Sequence, residues 1–426
     1  MPSKSTPLPM ITRVRLKNFR SIAECDVELG PLTILVGPNG SGKSNFVKAL
    51  DFLADALNNG LESAIGRQGG MYSLLSRWAL DDPDATLSIE IDMNLYERRR
   101  GHYQLELRRK SESRQSRLGA FELAREHCVV STHTGRNDGA LAEFEVTPEG
   151  STWWDVRGVQ FVPGIFPSLG PPSLTLPHVS EHLNFGLVHR ALRGIACYSL
   201  HVSEMRKPQL PDGGELLKAD GSNVASVYDQ MFVTDSYGVI AGDRLLDWMK
   251  VIVPDIRAVA ASNIAGYMAL QFEQRSDATD MSWTFDASEI SYGTLRTFGV
   301  LVALYQGRMR DISPVSLVGI EEPESAVHPG AATALLEAMA EASHVTQVLA
   351  TTHSPAMLDH EDLDIGILCA VELRGGRTII GPVDEASRQI VTEHLASAGE
   401  LLRMRHISPT NGREDSPTSS GMAAPV

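Results

Sequence analysis

A chain of 426 residues with 42% hydrophobic and 21% charged side chains has the balance of a globular protein of roughly two to four folding units, which excludes a disordered or membrane-embedded class. Its net charge of −15 excludes a surface coated all over with nucleic-acid-binding charge, so any such contact must be local. No run approaches the roughly 20 apolar residues that a bilayer demands, and MPSKSTPLPM has neither an apolar core nor a small-residue cleavage site, so a cytoplasmic location with no membrane partner is expected.

From Ile11, ITRVRLKNF alternates apolar and charged residues as a strand does, and DVELGPLTILV repeats the signal before a glycine cluster. After Ser44 the period changes: Phe46, Val47, Leu50, Leu53, Ala54 and Leu57 recur at helical spacing until Asn58, Asn59 and Gly60. A strand therefore feeds a glycine-rich turn that opens a helix. Residues 85–130 read as strands (ATLSIEIDMNLY, HYQLELRRK, FELAREHCVV), which predicts an antiparallel meander. Within it lies a strong basic island, where Arg98, Arg99, Arg100, Arg108, Arg109, Lys110, Arg114 and Arg117 outnumber Glu97, Glu106 and Glu112. It reads as a solvated hairpin tip or as a DNA contact.

The stretch from about 148 to 180, with Pro163, Pro167, Pro171, Pro172 and Pro177, reads as a loop or linker. EHLNFGLVHRALRGI, SNVASVYDQMF and DRLLDWMKVIV have helical periods, which makes 180–256 a helical insert. Strand alternation returns in YMALQFEQ and SWTFD; then 291–306 is helical, VSLVGI a strand, PGAATALLEAMAEA a helix and HVTQVLATTH a strand. Such alternation favours a parallel α/β sheet. The expected organisation is a single α/β head formed from 1–147 and 263–407, interrupted by a linker and helical insert over 148–262 and followed by a disordered tail over 408–426. There is no internal repeat. Cys25, Cys128, Cys197 and Cys369 stand far apart without a CxxC and read as buried thiols.

Gly37 to Ser44, GPNGSGKS, fits the phosphate-loop pattern in its strand-before, helix-after setting. Its glycines let backbone N–H groups turn round phosphates, Lys43 reaches the β- and γ-phosphates, and the Ser44 hydroxyl ligates Mg²⁺. Leu317 to Glu324, LVGIEEPE, is an apolar strand ending in two carboxylates that point apart, so Glu321 suits the Mg²⁺ shell and Glu322 the attacking water. His353 follows the next apolar strand, and in a parallel sheet both would fall at carboxyl ends, where ligands sit. SEISYGTLRTF is a small-residue turn opening a helix, with Ser291 as its cap.

In this order the motifs resemble those of ATP-binding-cassette (ABC) ATPases, and more closely the SMC-like and RecF-like branch of AAA family ATPases, including the ATPase portion of OLD-family proteins. The matching residues are GPNGSGKSN, ISYGTLR, IEEPESAVHP and TTHSP, with RLKNFRSI before the phosphate loop and LLKADGSNVASVY in the insert. The resemblance implies a P-loop NTPase of ABC/SMC-head type that takes ATP and Mg²⁺. Pro38, Asn39, Gly40, Ser41, Gly42, Lys43, Ser44 and Asn45 would hold the nucleotide, with Ser44 and Glu321 on the metal. It also implies a head-to-tail homodimer or higher oligomer with ATP sandwiched between copies, each nucleotide capped by Ser291 and Gly293 of the other subunit. Glu322 would be the catalytic base, His353 the γ-phosphate sensor, and SAVHP the turn that touches the partner subunit.

The chain departs from the family pattern at Tyr292, where a small or acidic residue is usual. It also lacks the long coiled coil and CxxC hook of SMC-type proteins, and it offers only Gln68 and Gln104 for the glutamine that joins metal and water. The stretch after His353 is short for the nuclease domain of OLD proteins, and the lone DxD of Asp362 and Asp364 reads as a loop, so any nuclease is expected on a separate chain. The expected function is an ATPase that dimerises on ATP and drives or gates a separate effector, a nuclease or other toxin, in phage defence or DNA maintenance. The alternative is an ATP-controlled scaffold or sensor with slow turnover and no DNA contact. A transporter ATPase and a small-molecule kinase fit the motif set less well.

Overall fold

The computed structural model describes residues 10–82, 84–109, 121–132, 139–155, 173–233, 236–275, 281–306, 315–360 and 363–410. The predicted meander is a seven-stranded antiparallel sheet of β1 (Met10–Phe19), β2 (Ile22–Glu28), β4 (Thr86–Leu95), β5 (Arg99–Arg109), β6 (Phe121–Thr132), β7 (Ala140–Thr147) and β8 (Gly150–Asp155), in the order β2-β1-β4-β5-β6-β7-β8. A six-stranded sheet holds β3 (Leu32–Val36), β9 (Ile195–Tyr198), β13 (Leu317–Glu321), β14 (Gln347–Thr352), β15 (Leu368–Arg374) and β16 (Arg377–Pro382), in the order β16-β15-β3-β14-β13-β9. All of its pairs are parallel except β15 with β16. The third sheet is an antiparallel ribbon of β10 (Ile256–Ile264), β11 (Tyr267–Arg275) and β12 (Ser282–Asp286).

Helices cover both faces of the six-stranded sheet, which is why its central strands are apolar without alternation. Leu35 of β3 and Leu349 of β14 point into a core shared with the meander and with α1 (Lys43–Asn59), α2 (Leu61–Arg67), α3 (Met71–Leu74), α4 (Thr175–His178) and α5 (Leu183–Arg193). Their neighbours Ile34, Val36, Val348 and Ala350 point the other way. They meet α6 (Val202–Met205), α7 (Val224–Val233), α8 (Ser236–Ile252), α9 (Tyr292–Tyr305), α10 (Pro329–Ala342) and α11 (Pro355–Leu358). The ribbon packs on this second core through Val259, Leu270 and Phe272, and α12 (Glu385–Thr392) and α13 (Ala398–Arg403) close the chain.

Three segments differ from the sequence reading. Gly150–Asp155, inside the proline-rich stretch, is β8, because its residues pair with β7 from Thr147↔Gly150 to Ala142↔Asp155. Ile195–Tyr198, inside the segment read as helical, is an edge strand of the parallel sheet, where four residues are too few to display a period. Ser408–Thr410, assigned to the tail by composition, are held by main-chain bonds, Asp384 N donating to Ser408 O at 2.9 Å and Pro409 bridging to Val383. Pro163, Pro167, Pro171 and Pro172 lie outside the described residues, as do 411–426. Three of the cysteines are buried and Cys197 is half-buried, all as free thiols.

Glu126 is fully buried between the meander and α4. It accepts hydrogen bonds from Tyr103 Oη (3.0 Å) and from the amides of Thr175 (2.5 Å) and Leu176 (3.0 Å), and so ties β5 and β6 to the first residues of α4. Burial pushes its carboxyl above the usual range, against the pull of those donors. A raised folded-state value stabilises the fold below the unfolded value of about 4.3, and that stabilisation is lost as pH climbs through the folded value. Glu126→Gln is therefore expected to remove this slope: thermal unfolding of the native chain and variant across pH 3 to 8 should show the native advantage greatest in acid and shrinking upward.

Candidate nucleotide site

Because β3, β14 and β13 lie side by side and parallel, whatever follows their carboxyl ends is gathered at one edge. After β3 comes the loop Gly37–Ser44, after β14 comes His353, and at the end of β13 come Glu321 and Glu322.

The loop's shape is set by glycine. Gly40 (φ 76°) and Gly42 (φ 105°) take left-handed backbone, and a Cβ on Gly42 would come 2.0 Å from Thr378 Oγ1. Gly42 caps α1 without a side-chain bond, so the first amides of the helix have no side-chain partner at the cap and suit an anion. Pro38, Asn39 and Gly40 are exposed, Ser44 and Asn45 half-buried, and the Ser41 hydroxyl is buried without a protein partner. Lys43 is 5% exposed, and its Nζ donates to the carbonyls of Gly37 (2.7 Å) and Pro38 (2.9 Å). Burial pushes the Lys43 ammonium down, opposed by the charges of Glu322 and Glu324.

A brace holds the loop from outside. Thr378 of β16 donates from Oγ1 to the carbonyl of Ser41 (2.8 Å) and lies 2.7 Å from Ser21 Oγ, which in turn accepts from Asn45 Nδ2 at 2.7 Å. Thr378→Val keeps the volume but leaves the buried Ser41 carbonyl unpaired and takes one of two partners from Ser21 Oγ. A loss of about 1–3 kcal/mol in unfolding free energy, with weaker nucleotide binding, is expected from denaturant unfolding and nucleotide titration.

Glu322 sits at φ 46°, left-handed backbone that costs a non-glycine residue about 1–2 kcal/mol. Its N–H is held by Thr351, at 3.1 Å to the carbonyl and 3.2 Å to Oγ1. Its Oε1 lies 3.0 Å from His353 Nδ1, close but out of line for a hydrogen bond, and its Oε2 accepts from Ser325 Oγ at 3.3 Å. Glu324 turns inward: Oε1 accepts from Thr352 Oγ1 (2.5 Å), Oε2 has no protein partner, and burial pushes the carboxyl up. Glu321, half-buried, is near Asp51 of α1, whose carboxyl is raised by burial and by the charges of Asp55 and Glu321. Ser44 and Glu321 offer the hard oxygens that Mg²⁺ takes. Among the described residues no three His, Cys, Asp or Glu side chains are grouped so as to hold a metal ion.

Ser291 and Tyr292 are exposed at the start of α9. Ser291 Oγ caps the helix, accepting from Thr294 N at 3.1 Å. Gly293 packs so tightly on the turn after β13 that a Cβ would stand 2.1 Å from the carbonyl oxygen of Ala326. Arg296, one turn on and the last residue of ISYGTLR, was given no role of its own by sequence reasoning. It is 9% exposed and donates to the carbonyls of Leu200 (2.8 Å), Glu321 (3.0 Å) and Glu322 (3.1 Å). Thr378 was also missed. Neither residue has a local signal, because each acts on main-chain oxygens distant in sequence.

Other candidates fall elsewhere. Gln104 is mid-strand on β5, bonded to Glu106 and Arg125, and Gln68 accepts from Arg20 at 2.6 Å; neither is hydrogen-bonded to the phosphate loop. The basic island is no single patch: Arg99 and Arg109 stand at opposite ends of β5, about 33 Å apart at 3.3 Å per residue. Arg99 pairs with Glu97, Arg108 with Glu122, and Arg109 bonds to the Leu80 carbonyl over the Tyr72 ring, which leaves Arg98 and Arg100 exposed at one end. Lys110, Arg114, Arg117 and Asp362 lie outside the described residues, and Asp364 caps a turn at Gly366 N. Among the described residues no helix is long and apolar enough to cross a membrane.

Two family models match. One described as an AAA ATPase domain covers residues 10–100, and one for an AAA domain named for the AbiEii toxin of type IV TA systems covers 259–359. The chain is similar to the Old nuclease of Escherichia phage P2, 24% identical over 379 residues, covering 82% of this chain and 57% of that protein. It is 48% identical over 44 residues to the OLD nuclease of Thermus scotoductus, covering 10% of this chain and 8% of that protein. The RecF replication and repair protein of Corynebacterium jeikeium is 39% identical over 75 residues, 17% of this chain and 18% of its own. The chain thus spans little more than half the length of the phage protein and a small part of the other two. The SMC head domain from Thermotoga maritima superposes with a TM-score of 0.41 at 14% identity, covering 88% of this chain and 99% of its own. A phosphate loop after β3, paired acids ending β13, a histidine after the intervening β14 and an antiparallel meander alongside make this a P-loop NTPase fold of ABC/SMC-head type. By these matches and this order of motifs, the chain resembles the SMC-like and RecF-like ABC-type AAA ATPases, the ATPase portion of OLD-family proteins among them.

Proposed function

We propose that the chain is an ATP-hydrolysing head that pairs with a second copy on ATP binding and drives or gates a separate effector in phage defence or DNA maintenance. One observation carries the hydrolytic reading: the Glu322 carboxylate, the His353 ring and the phosphate loop stand together at the ends of three adjacent parallel strands. The loop amides and Lys43 bind phosphate, and Lys43 exchanges its bonds to Gly37 and Pro38 for bonds to phosphate oxygens. Mg²⁺, held by Ser44 and Glu321, supplies charge neutralisation on the phosphates when bound. Glu322 orients the attacking water and takes its proton, and His353, whose Nδ1 stands 3.0 Å from that carboxylate, reads the terminal phosphate. Exposed Ser291, with Gly293 beside it, suits donation to the nucleotide of the second copy, which would make the site complete only in the dimer.

The test is ATP turnover and oligomeric mass with Mg²⁺, with and without duplex DNA. Turnover together with an ATP-dependent dimer supports the reading, and stimulation by DNA assigns the effector to genome defence or repair. Absence of turnover leaves an ATP-controlled scaffold, and absence of an ATP-dependent dimer removes the sandwich.

A further inference from the structure

We infer that Arg296 is a positioning residue that fixes the catalytic carboxylates to the Ser291–Gly293 turn, so that engagement of that turn by a second copy reaches Glu322 in the same subunit. The inference rests on the proposed ATPase. Its first ground is the bonding of Arg296, whose two terminal nitrogens reach main-chain oxygens on two separate segments: Leu200 after β9, and Glu321 with Glu322 at the end of β13. Among the described residues no carboxylate pairs with it. A buried cation met only by carbonyl dipoles is a poor device for stability, since a neutral side chain of similar volume would pack α9 without the desolvation cost. What the planar guanidinium supplies is geometry, a fork with Nη1 on the Leu200 carbonyl and Nη2 on the consecutive carbonyls of Glu321 and Glu322.

The second ground is Glu322 itself. Its left-handed backbone is pinned at both ends, the N–H by Thr351 and the carbonyl by Arg296. Such strained conformations persist only where the surroundings over-determine them, and here Arg296 is half of the surroundings. The third ground is Gly293, whose missing side chain lets the exposed turn lie against the Ala326 carbonyl, just beyond the same strand end. Two independent contacts therefore join the turn that meets the second copy to the residues that meet the water. Moving α9 by an ångström moves Glu322, and misplacement of that size is worth about 100-fold in rate.

Arg296→Lys and Arg296→Met test this, read against the native chain by ATP affinity, ATP-dependent dimer mass, single-turnover hydrolysis and thermal unfolding. Arg296→Lys, which keeps the charge and can reach one carbonyl, is expected to fold, bind ATP within about 3-fold of native and dimerise, yet hydrolyse about 10- to 100-fold more slowly. Arg296→Met should be slower still where it folds. Native hydrolysis by Arg296→Lys overturns the inference, and so does equal loss of binding, dimerisation and turnover, which marks a merely structural residue. An inactive native chain overturns the ATPase reading and this inference together, whereas an active native chain with active variants overturns only this one.

Discussion

Glu322→Gln is expected to keep ATP binding, lose about 10²- to 10⁴-fold in turnover and accumulate as a dimer. The variant isolates chemistry from shape. Glutamine has the volume of glutamate and can still accept from Ser325, so the left-handed turn held by Thr351 and Arg296 stays in place. What disappears is the ability to take a proton from water. If dimers form on ATP and come apart on hydrolysis, blocking hydrolysis leaves the ATP-bound dimer as the dominant species. Turnover and light-scattering mass, measured on native and variant protein at equal ATP, decide it: a variant that hydrolyses at the native rate removes Glu322 from the role of base.

Lys43→Met is expected to abolish useful nucleotide affinity while sparing the fold. In the structure the ammonium is spent on two carbonyls of its own loop, and burial already disfavours its charge. Methionine of similar length fills the space, and removing a desolvated charge from a site without phosphate costs little stability. Phosphate binding loses a charged partner in a buried setting, which is worth about 2–5 kcal/mol, or roughly 30- to 4,000-fold in affinity. Titration with a fluorescent ATP analogue alongside thermal unfolding reads both arms. Native affinity in the variant would remove Lys43 from the phosphate site, and collapse of the fold would show that it is structural.

The sequence was legible where structure is local. GPNGSGKS shapes itself through its own glycines and the helix that follows, and the alternation of VSLVGI, PGAATALLEAMAEA and HVTQVLATTH corresponds to β13, α10 and β14. Ser291 caps its helix as its position implies. Legibility failed where meaning depends on a distant partner. β9 is four residues whose strand character comes from pairing with β13, and β10, not singled out in the sequence reading, is a strand through its register with β11. Arg296 and Thr378 bind main-chain oxygens from far along the chain, which no spacing rule announces. The arginines of β5 were contiguous as letters, but an extended strand carries its two ends far apart.

The strand that carries the phosphate loop has a peculiar history. Leu32 of β3 pairs with Val348 and Ile34 with Leu368, so both of its neighbours are synthesised more than three hundred residues later. Such pairing cannot form on the ribosome until β14 and β15 have emerged, and non-local closure of this kind slows folding. A nascent or truncated chain can therefore contain every residue of GPNGSGKS and still have no place to seat it. Competence for nucleotide arrives late and all at once, with the last strands of the sheet.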